Sequence, residues 1–291
     1  MSASGEKPQN VSDTAFWVAQ YRAEETVRED GLFKDPLASR LIAQKGKSIK
    51  EFLDSKNEIS WPIVVRTYLM DRVIGKHLPD GFDTVLSLAA GLDTRPYRLD
   101  LQSDIKWIEV DLPGILNYKN NVLRDERPSC QLERISIDLT DREARNRFFD
   151  RVNQESEKVL VITEGLLVYL DPAEVSSLAL DMAKYTSFKY WMMDLASPGL
   201  VKMMNKKMGD KMEQANAPFR FGPAEGPGYF KPMGWTSIEV HSFLKTAAAL
   251  KRVNLWMRVL AMLPESQGKQ GSKPWSAVCL FENQNTKAHK L

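Results

Sequence analysis

From residue 83 to residue 195 the chain repeats one unit: a short apolar run, a stretch with helical spacing, then another apolar run. The apolar runs fall at 83–89, 104–111, 131–139, the start of 159–169, and 190–195. Helical spacing fills the gaps. It is seen at 115–124, at Ala144, Phe148 and Val152, and at Val175, Leu178, Ala179 and Met182 behind the helix-opening pair Asp171-Pro172. This alternation predicts an α/β fold with a mostly parallel sheet and helices on both faces. A chain of 291 residues can bury such a core in one domain.

The flanks follow a different rhythm. Residues 1–12 and 285–291 are expected to be tails around a single domain over 13–284. Residues 13–80 form an N-terminal helical cap, with helices expected at 14–29, after Asp35-Pro36, and at 62–78. Residues 199–234 interrupt the alternation after the fifth strand. They combine a stretch, 199–216, that carries Met203, Met204, Met208 and Met212 with a loop over 217–234 rich in Gly, Pro and aromatics. Such insertions serve as lids or binding loops, and a methionine stripe also serves simple packing. A helix is expected at 237–250 and a closing strand at 274–282.

Composition narrows the function classes. Forty basic and 38 acidic residues leave a net charge of +2, so no basic field points to nucleic acid or a membrane surface. Cys130 and Cys279 sit in apolar runs and read as buried thiols, which fits a reducing, cytoplasmic setting. The polar opening MSASGEKPQN predicts no secretory leader, and no stretch predicts a transmembrane span.

The chemistry is expected where strands end, because open parallel sheets bind ligands outside the carboxyl ends of their strands. Residues 85–99, VLSLAAGLDTRPYRL, pass from a buried strand through Ala89-Ala90-Gly91 into a polar turn. Small residues there let a ligand approach the backbone. Three later strands end in acids: Glu109 and Asp111 on one face, then Asp138 before Leu139, then Glu164 before Gly165. One such acid alone reads as a helix cap; three in succession form a pattern. An acid at the Glu109–Asp111 strand end suits a ribose diol, and Asp138 beside a backbone N–H suits an adenine edge. The turn lacks G-x-G-x-x-G and the phosphate-loop pattern, which disfavours a nicotinamide cofactor. A cationic nucleoside without phosphates fits better, and S-adenosylmethionine is one. Its carboxylate needs a cation. Arg66 is available, on the same helix face as Leu69, Met70 and Val73, although a structural ion pair explains that position equally well.

The stretches TAFWVAQYRAEET, LFKDPLASRLI, VVRTYLMDRVI, VLSLAAGLDTRPYRL, WIEVDLPGILNYK, ISIDLTD and VLVITEGLLVYL resemble the leucine carboxyl methyltransferase family, in its bacterial-type branch of O-methyltransferases. The resemblance runs over about residues 14–170. It implies a class I methyltransferase (Rossmann-like) fold of seven strands, mostly parallel, with the last antiparallel. It implies S-adenosylmethionine as cofactor, held by Arg66, Ala89, Gly91, Asp111, Asp138, Leu139 and Glu164, and no metal. It also implies an oxygen acceptor on a small molecule, carboxylate or phenolic, such as an aromatic polyketide. Substrate-pocket candidates are Tyr21, Arg22, Tyr169, Arg220, Tyr229, Trp235 and His241; His241 is the plausible histidine base, with an acid or a Tyr as the alternative. Rival readings are a protein C-terminal carboxyl or RNA-modifying methyltransferase, and a non-catalytic cofactor-binding protein. The sequence sets no oligomeric state.

Overall fold

The computed structural model describes residues 14–43, 60–214, 217–265, 271 and 273–286. The expected tail 1–12, and 287–291 of the expected C-terminal tail, lie outside the described residues; residues 284–286 form a 3₁₀ turn.

Seven strands build one sheet: β1 (Thr84–Leu88), β2 (Lys106–Asp111), β3 (Gln131–Ser136), β4 (Val159–Thr163), β5 (Phe188–Ala196), β6 (Trp235–Ser242) and β7 (Ser276–Asn283). Their order is β3-β2-β1-β4-β5-β7-β6. The first five are parallel neighbours, and β7 runs antiparallel to both β5 and β6. Strand period 2 divides the core into two layers. Leu86 and Leu88 pack with Phe149, Val175 and Met182 on one face. Val85 and Trp107 pack with Met70, Ile74 and Phe243 on the other.

Ten helices accompany the sheet among the described residues: α1 (Thr14–Thr26), α2 (Pro36–Ile42), α3 (Ser60–His77), α4 (Arg95–Arg98), α5 (Pro113–Leu123), α6 (Arg142–Glu155), α7 (Pro172–Ala183), α8 (Pro198–Gln214), α9 (Phe243–Ala249) and α10 (Leu255–Ala261). Their starts follow local chemistry. Asp35 accepts from the Ala38 N–H at 3.1 Å ahead of Pro36, and Asp171 with Glu174 forms a reciprocal capping box. Each such cap contributes about 1 kcal/mol. A third cluster joins Phe16 and Trp17 of α1 to Leu41 of α2, Ile115 of α5, and Val201, Met212 and Phe219 of the insertion. The N-terminal helices and the insertion therefore share one apolar seam above the sheet.

Two expectations fail. The helix at 237–250 begins at Phe243; residues 235–242 are strand β6, and Ser242 is the N-cap, accepting from the Lys245 N–H. β6 ends the sheet and carries a register shift between Ser237 and Glu239. Its apolar Ile238 and Val240 face outward, 41% and 47% exposed. An edge strand with a bulge and an outward apolar row lacks the inward alternation that marks a strand in sequence. The 217–234 loop is also only partly a loop. Gly226–Met233 is a 3₁₀ helix, and Phe230 is fully buried against Trp191 and Phe281.

Candidate functional site

A cavity of about 1040 Å3 opens above the carboxyl ends of β1, β2, β4 and β5. All seven expected cofactor residues line it: Arg66, Ala89, Gly91, Asp111, Asp138, Leu139 and Glu164. Register explains the convergence. Leu88 pairs with Val110 and with Thr163, and Thr163 with Met193. The next residues, Ala89, Asp111, Glu164 and Asp194, therefore stand level along one edge of the sheet.

The floor of this half is backbone. Ala89 (φ 54°) and Gly91 (φ 49°) both take the left-handed conformation, which is costly for alanine and free for glycine. The turn is held by Asp111, whose carboxylate accepts the Gly91 N–H at 2.6 Å and the Leu112 N–H at 2.7 Å. Burial pushes the Asp111 carboxyl above its ordinary value, although these two N–H groups pull it back. Each of its oxygens keeps a second lone pair for a ligand hydroxyl. Asp138 accepts from the Thr140 N–H and hydroxyl through one oxygen, and sits in the lining between Ile137 and Leu139. Glu109, on the same strand face as Asp111, turns out to be a core residue. It is fully buried, and Lys119 at 2.8 Å and Arg134 at 2.7 Å satisfy it.

Beside the floor lies a dense ion network. Arg66 donates to Glu164 at 3.0 Å and to Asp194 at 3.2 Å. Arg95, 1% exposed, donates to Asp93 at 2.9 Å, Asp71 at 2.7 Å and Glu164 at 2.6 Å. Arg98 takes the other oxygen of Asp71 at 2.6 Å. Burial works against every charge here, yet Arg95 and Arg66 hold the Glu164 carboxyl below its ordinary value. The same pairing holds the Arg95 guanidinium far above its own. Three guanidiniums meet four carboxylates, so the network is left with a net negative charge that suits a cationic ligand. Gly165 (φ 63°) permits the approach: a Cβ there would sit 3.0 Å from the Arg66 Nη1, and its N–H donates to Asp194 at 2.6 Å.

The opposite half is apolar and roofed by the cap and the insertion. Trp17 and Tyr21 of α1, Trp61 and Ile63 of α3, and Met204 and Met208 of α8 line it. Tyr169 stacks on Phe219 with ring centroids 5.6 Å apart. Burial raises the Tyr169 and Tyr21 hydroxyls above their usual values, which keeps both protonated at neutral pH.

Of the expected pocket residues, Tyr21, Arg22, Tyr169 and Arg220 line the cavity. Arg22 is tied down by the Leu92 carbonyl at 2.5 Å and Asp35 at 3.0 Å, and Arg220 pairs with Asp171 at 3.1 Å. Three candidates lie elsewhere. Trp235 is core, fully buried, and donates to the Ala179 carbonyl at 3.0 Å. Tyr229 bonds the Pro172 carbonyl and Ser176 on α7. His241 sits on the edge strand β6 against Glu239 at 2.8 Å, away from the cavity lining, because 235–242 is strand rather than helix. Sequence reasoning missed Asp194, whose signal was a lone acid in the apolar run WMMDLA at the same strand-end level. It also left Arg95 without a role, because Asp71 and Glu164 meet it only through the fold.

Fold and cavity together have the architecture of a class I methyltransferase fold, with the open site at the strand ends. A sequence profile of the leucine carboxyl methyltransferase family matches residues 15–183, and the chain belongs to that family. It is 30% identical over 270 residues to a Streptomyces avermitilis protein provisionally named as an S-adenosyl-L-methionine-dependent methyltransferase, covering 84% of this chain and 90% of that one. A Frankia alni protein with the same provisional name is 33% identical over 182 residues, which cover 59% of this chain and 64% of that one. The Frankia alignment thus spans just under two thirds of that relative. A crystal structure of a provisionally named Thermobifida fusca methyltransferase superposes with a TM-score of 0.56 at 14% identity, covering 96% of each chain, and shows the fold alone. Among the described residues no helix is long and apolar enough to cross a membrane.

Proposed function

We propose that the chain moves a methyl group from S-adenosylmethionine to an oxygen of a small apolar molecule, and that this oxygen belongs to a carboxylate. In this reading Asp111 holds the ribose, and Asp138 and Leu139 hold the adenine. Ala89 and Gly91 form the floor under the methionine part. Arg66 meets the methionine carboxylate, and Glu164 its amino group. The bound cofactor supplies an electrophilic methyl group on a sulfonium. The chain's own part is to exclude water and to hold the acceptor oxygen at attack distance in the apolar half, where positioning carries much of the rate.

One observation carries the choice of a carboxylate: no histidine among the described residues lines the cavity, and Glu174, the carboxylate beside Tyr169 and Leu170 in its lining, is engaged by the Asp171 N–H at 2.7 Å. Tyr21 and Tyr169 are protonated phenols, and neither His77 nor His241 lines the cavity. A carboxylate is ionised already and needs aim, not deprotonation, whereas a phenol or alcohol needs a base at the oxygen. The volume is consistent with this reading, since about 1040 Å3 reaches the top of the usual range for one ligand and leaves room for an acceptor beside the cofactor.

The test has two stages. Calorimetric titration with S-adenosylhomocysteine is expected to show saturable one-to-one binding. Transfer from methyl-labelled cofactor to a panel of apolar carboxylic acids and phenols is then scored before and after mild alkali. A methyl ester releases its label as methanol and a phenyl ether keeps it. Label that survives alkali would assign the enzyme to phenols.

A further inference from the structure

One buried arginine reaches the site without lining the cavity. Arg95 is 1% exposed and lies behind the cavity wall, as do its neighbours Asp71 and Arg98. Of the residues given a role above, Glu164 is the one it bonds, through Nη1 at 2.6 Å. Glu164 is thereby held from two sides. Arg66 Nε donates to its Oε1 at 3.0 Å, and Arg95 Nη1 to its Oε2. Each guanidinium is itself anchored. Asp194 accepts from Arg66 Nη1 at 3.2 Å, and Asp71 accepts from Arg95 Nε at 2.7 Å. Asp71 and Arg66 both stand on α3, so one helix carries both ends of the clamp. A carboxylate gripped at both oxygens keeps its plane, and each oxygen keeps a second lone pair for a further donor.

A purely structural role would have Arg95 tie α4 to α3. Arg98 already makes that tie, donating to Asp71 through both Nη atoms at 2.6 and 2.9 Å. What Arg95 adds is the reach from α4 to the end of β4. Charge gives the consequence. Glu164 is faced by Arg66 from α3, and by Asp93 and Arg95 from the turn after β1 and from α4. Asp194 from β5 and the Tyr169 hydroxyl face the same Arg66. Burial and the Asp93 charge favour a protonated Glu164, whereas Arg95 and Arg66 favour the ionised form. Without Arg95 the buried carboxylates of Asp93 and Glu164 lose the cation they share at Nη1. A neutral Glu164 has no charge to offer an ammonium. On the Glu164 role proposed above, we infer that Arg95, anchored by Asp71, is a positioning residue that fixes the Glu164 carboxylate for the ammonium of the cofactor's methionine part.

S-adenosylhomocysteine, which keeps that ammonium, is titrated calorimetrically into the full chain from about pH 7 to about pH 5.5, where its own amino and carboxyl groups hold their charges. The wild type is expected to bind with level affinity across this window. Arg95→Gln is expected to bind about tenfold more weakly at the upper end and to lose up to about tenfold more per pH unit towards the lower. Arg95→Lys restores one cation and is expected to recover the level profile at an intermediate affinity. The pair Arg95→Gln/Asp71→Asn removes one charge of each sign and carries the test where Arg95→Gln alone does not fold. Glu164→Gln is expected to bind weakly at every pH. A wild-type affinity that falls across the window, or a loss in the Arg95 variants that is the same at every pH, overturns the inference and leaves Arg95 a structural tie. No binding by the wild type, or binding that Glu164→Gln leaves unchanged, instead overturns the role given to Glu164 itself.

Discussion

The two halves of the cavity are built by different rules. The sheet-edge half comes from residues at or near the carboxyl ends of neighbouring strands, and strand register sets Ala89, Asp111, Glu164 and Asp194 level. Its groups are charged, buried and bonded several times over, as in the Arg66–Glu164–Arg95 chain. The roof half is assembled from α1, α3, α8 and residues 252–257, which are far apart in sequence, and its lining is aromatic and methionine-rich. The first half is rigid because each ion that moves would leave another buried and unpaired. The second can repack, because methionine is unbranched and tolerates substitution. The contrast is that of a half fixed by paired charges with a half whose shape can change by repacking.

Breaking that contrast should hurt most at Arg66. Arg66→Ala leaves Glu164 and Asp194 facing each other without a shared cation, and losing one partner of a largely buried pair costs about 3 kcal/mol. Affinity for S-adenosylhomocysteine, read by calorimetry, is expected to fall about a hundredfold. Asp111→Ala comes next. It removes the acceptor that braces the Gly91 turn, together with the lone pairs that the proposed reading gives to a ribose, and is expected to weaken the same titration about thirtyfold, at about 2 kcal/mol.

A pH series sharpens the comparison from the charged side. Glu164 is held below its ordinary value of 4.5 in the folded chain, so its contribution to stability is fully present above that value. It is lost as pH falls through the lower folded value. Urea midpoints should therefore drop on acidification below pH 4.5, and Glu164→Gln should flatten that part of the profile. The smallest effect belongs to the roof. Met208→Leu, a near-isosteric change, is expected to cost under about 1 kcal/mol in thermal melting and to leave S-adenosylhomocysteine affinity within about twofold. If an acceptor is found, its KM rather than its kcat should move. A tenfold loss of cofactor affinity in that variant would erase the distinction between the halves.

How far the sequence could be read follows the same division. The strands β1 to β5, their helices and the acids Asp111, Asp138 and Glu164 were legible because local periodicity and strand-end position define them. β6 was hidden. Its partner β7 lies about forty residues on, and its apolar side chains Ile238 and Val240 face outward. His241 and Trp235 were misplaced as a consequence, one on the sheet edge and one in the core. Tyr229 was misplaced because a 3₁₀ turn, not an open loop, carries it onto α7.

By itself, then, the order of residues along the chain determined the parallel sheet, the helix starts at Asp35 and Asp171, and the acids waiting at the strand ends, since each depends on neighbours within a few positions. Which charges meet was decided by tertiary structure alone. Arg95 is two residues from Asp93, but it reaches Asp71 and Glu164 only because α3, the β1 turn and the end of β4 converge on one point. Burial there makes each ion depend on all the others, a property that no single stretch of sequence contains.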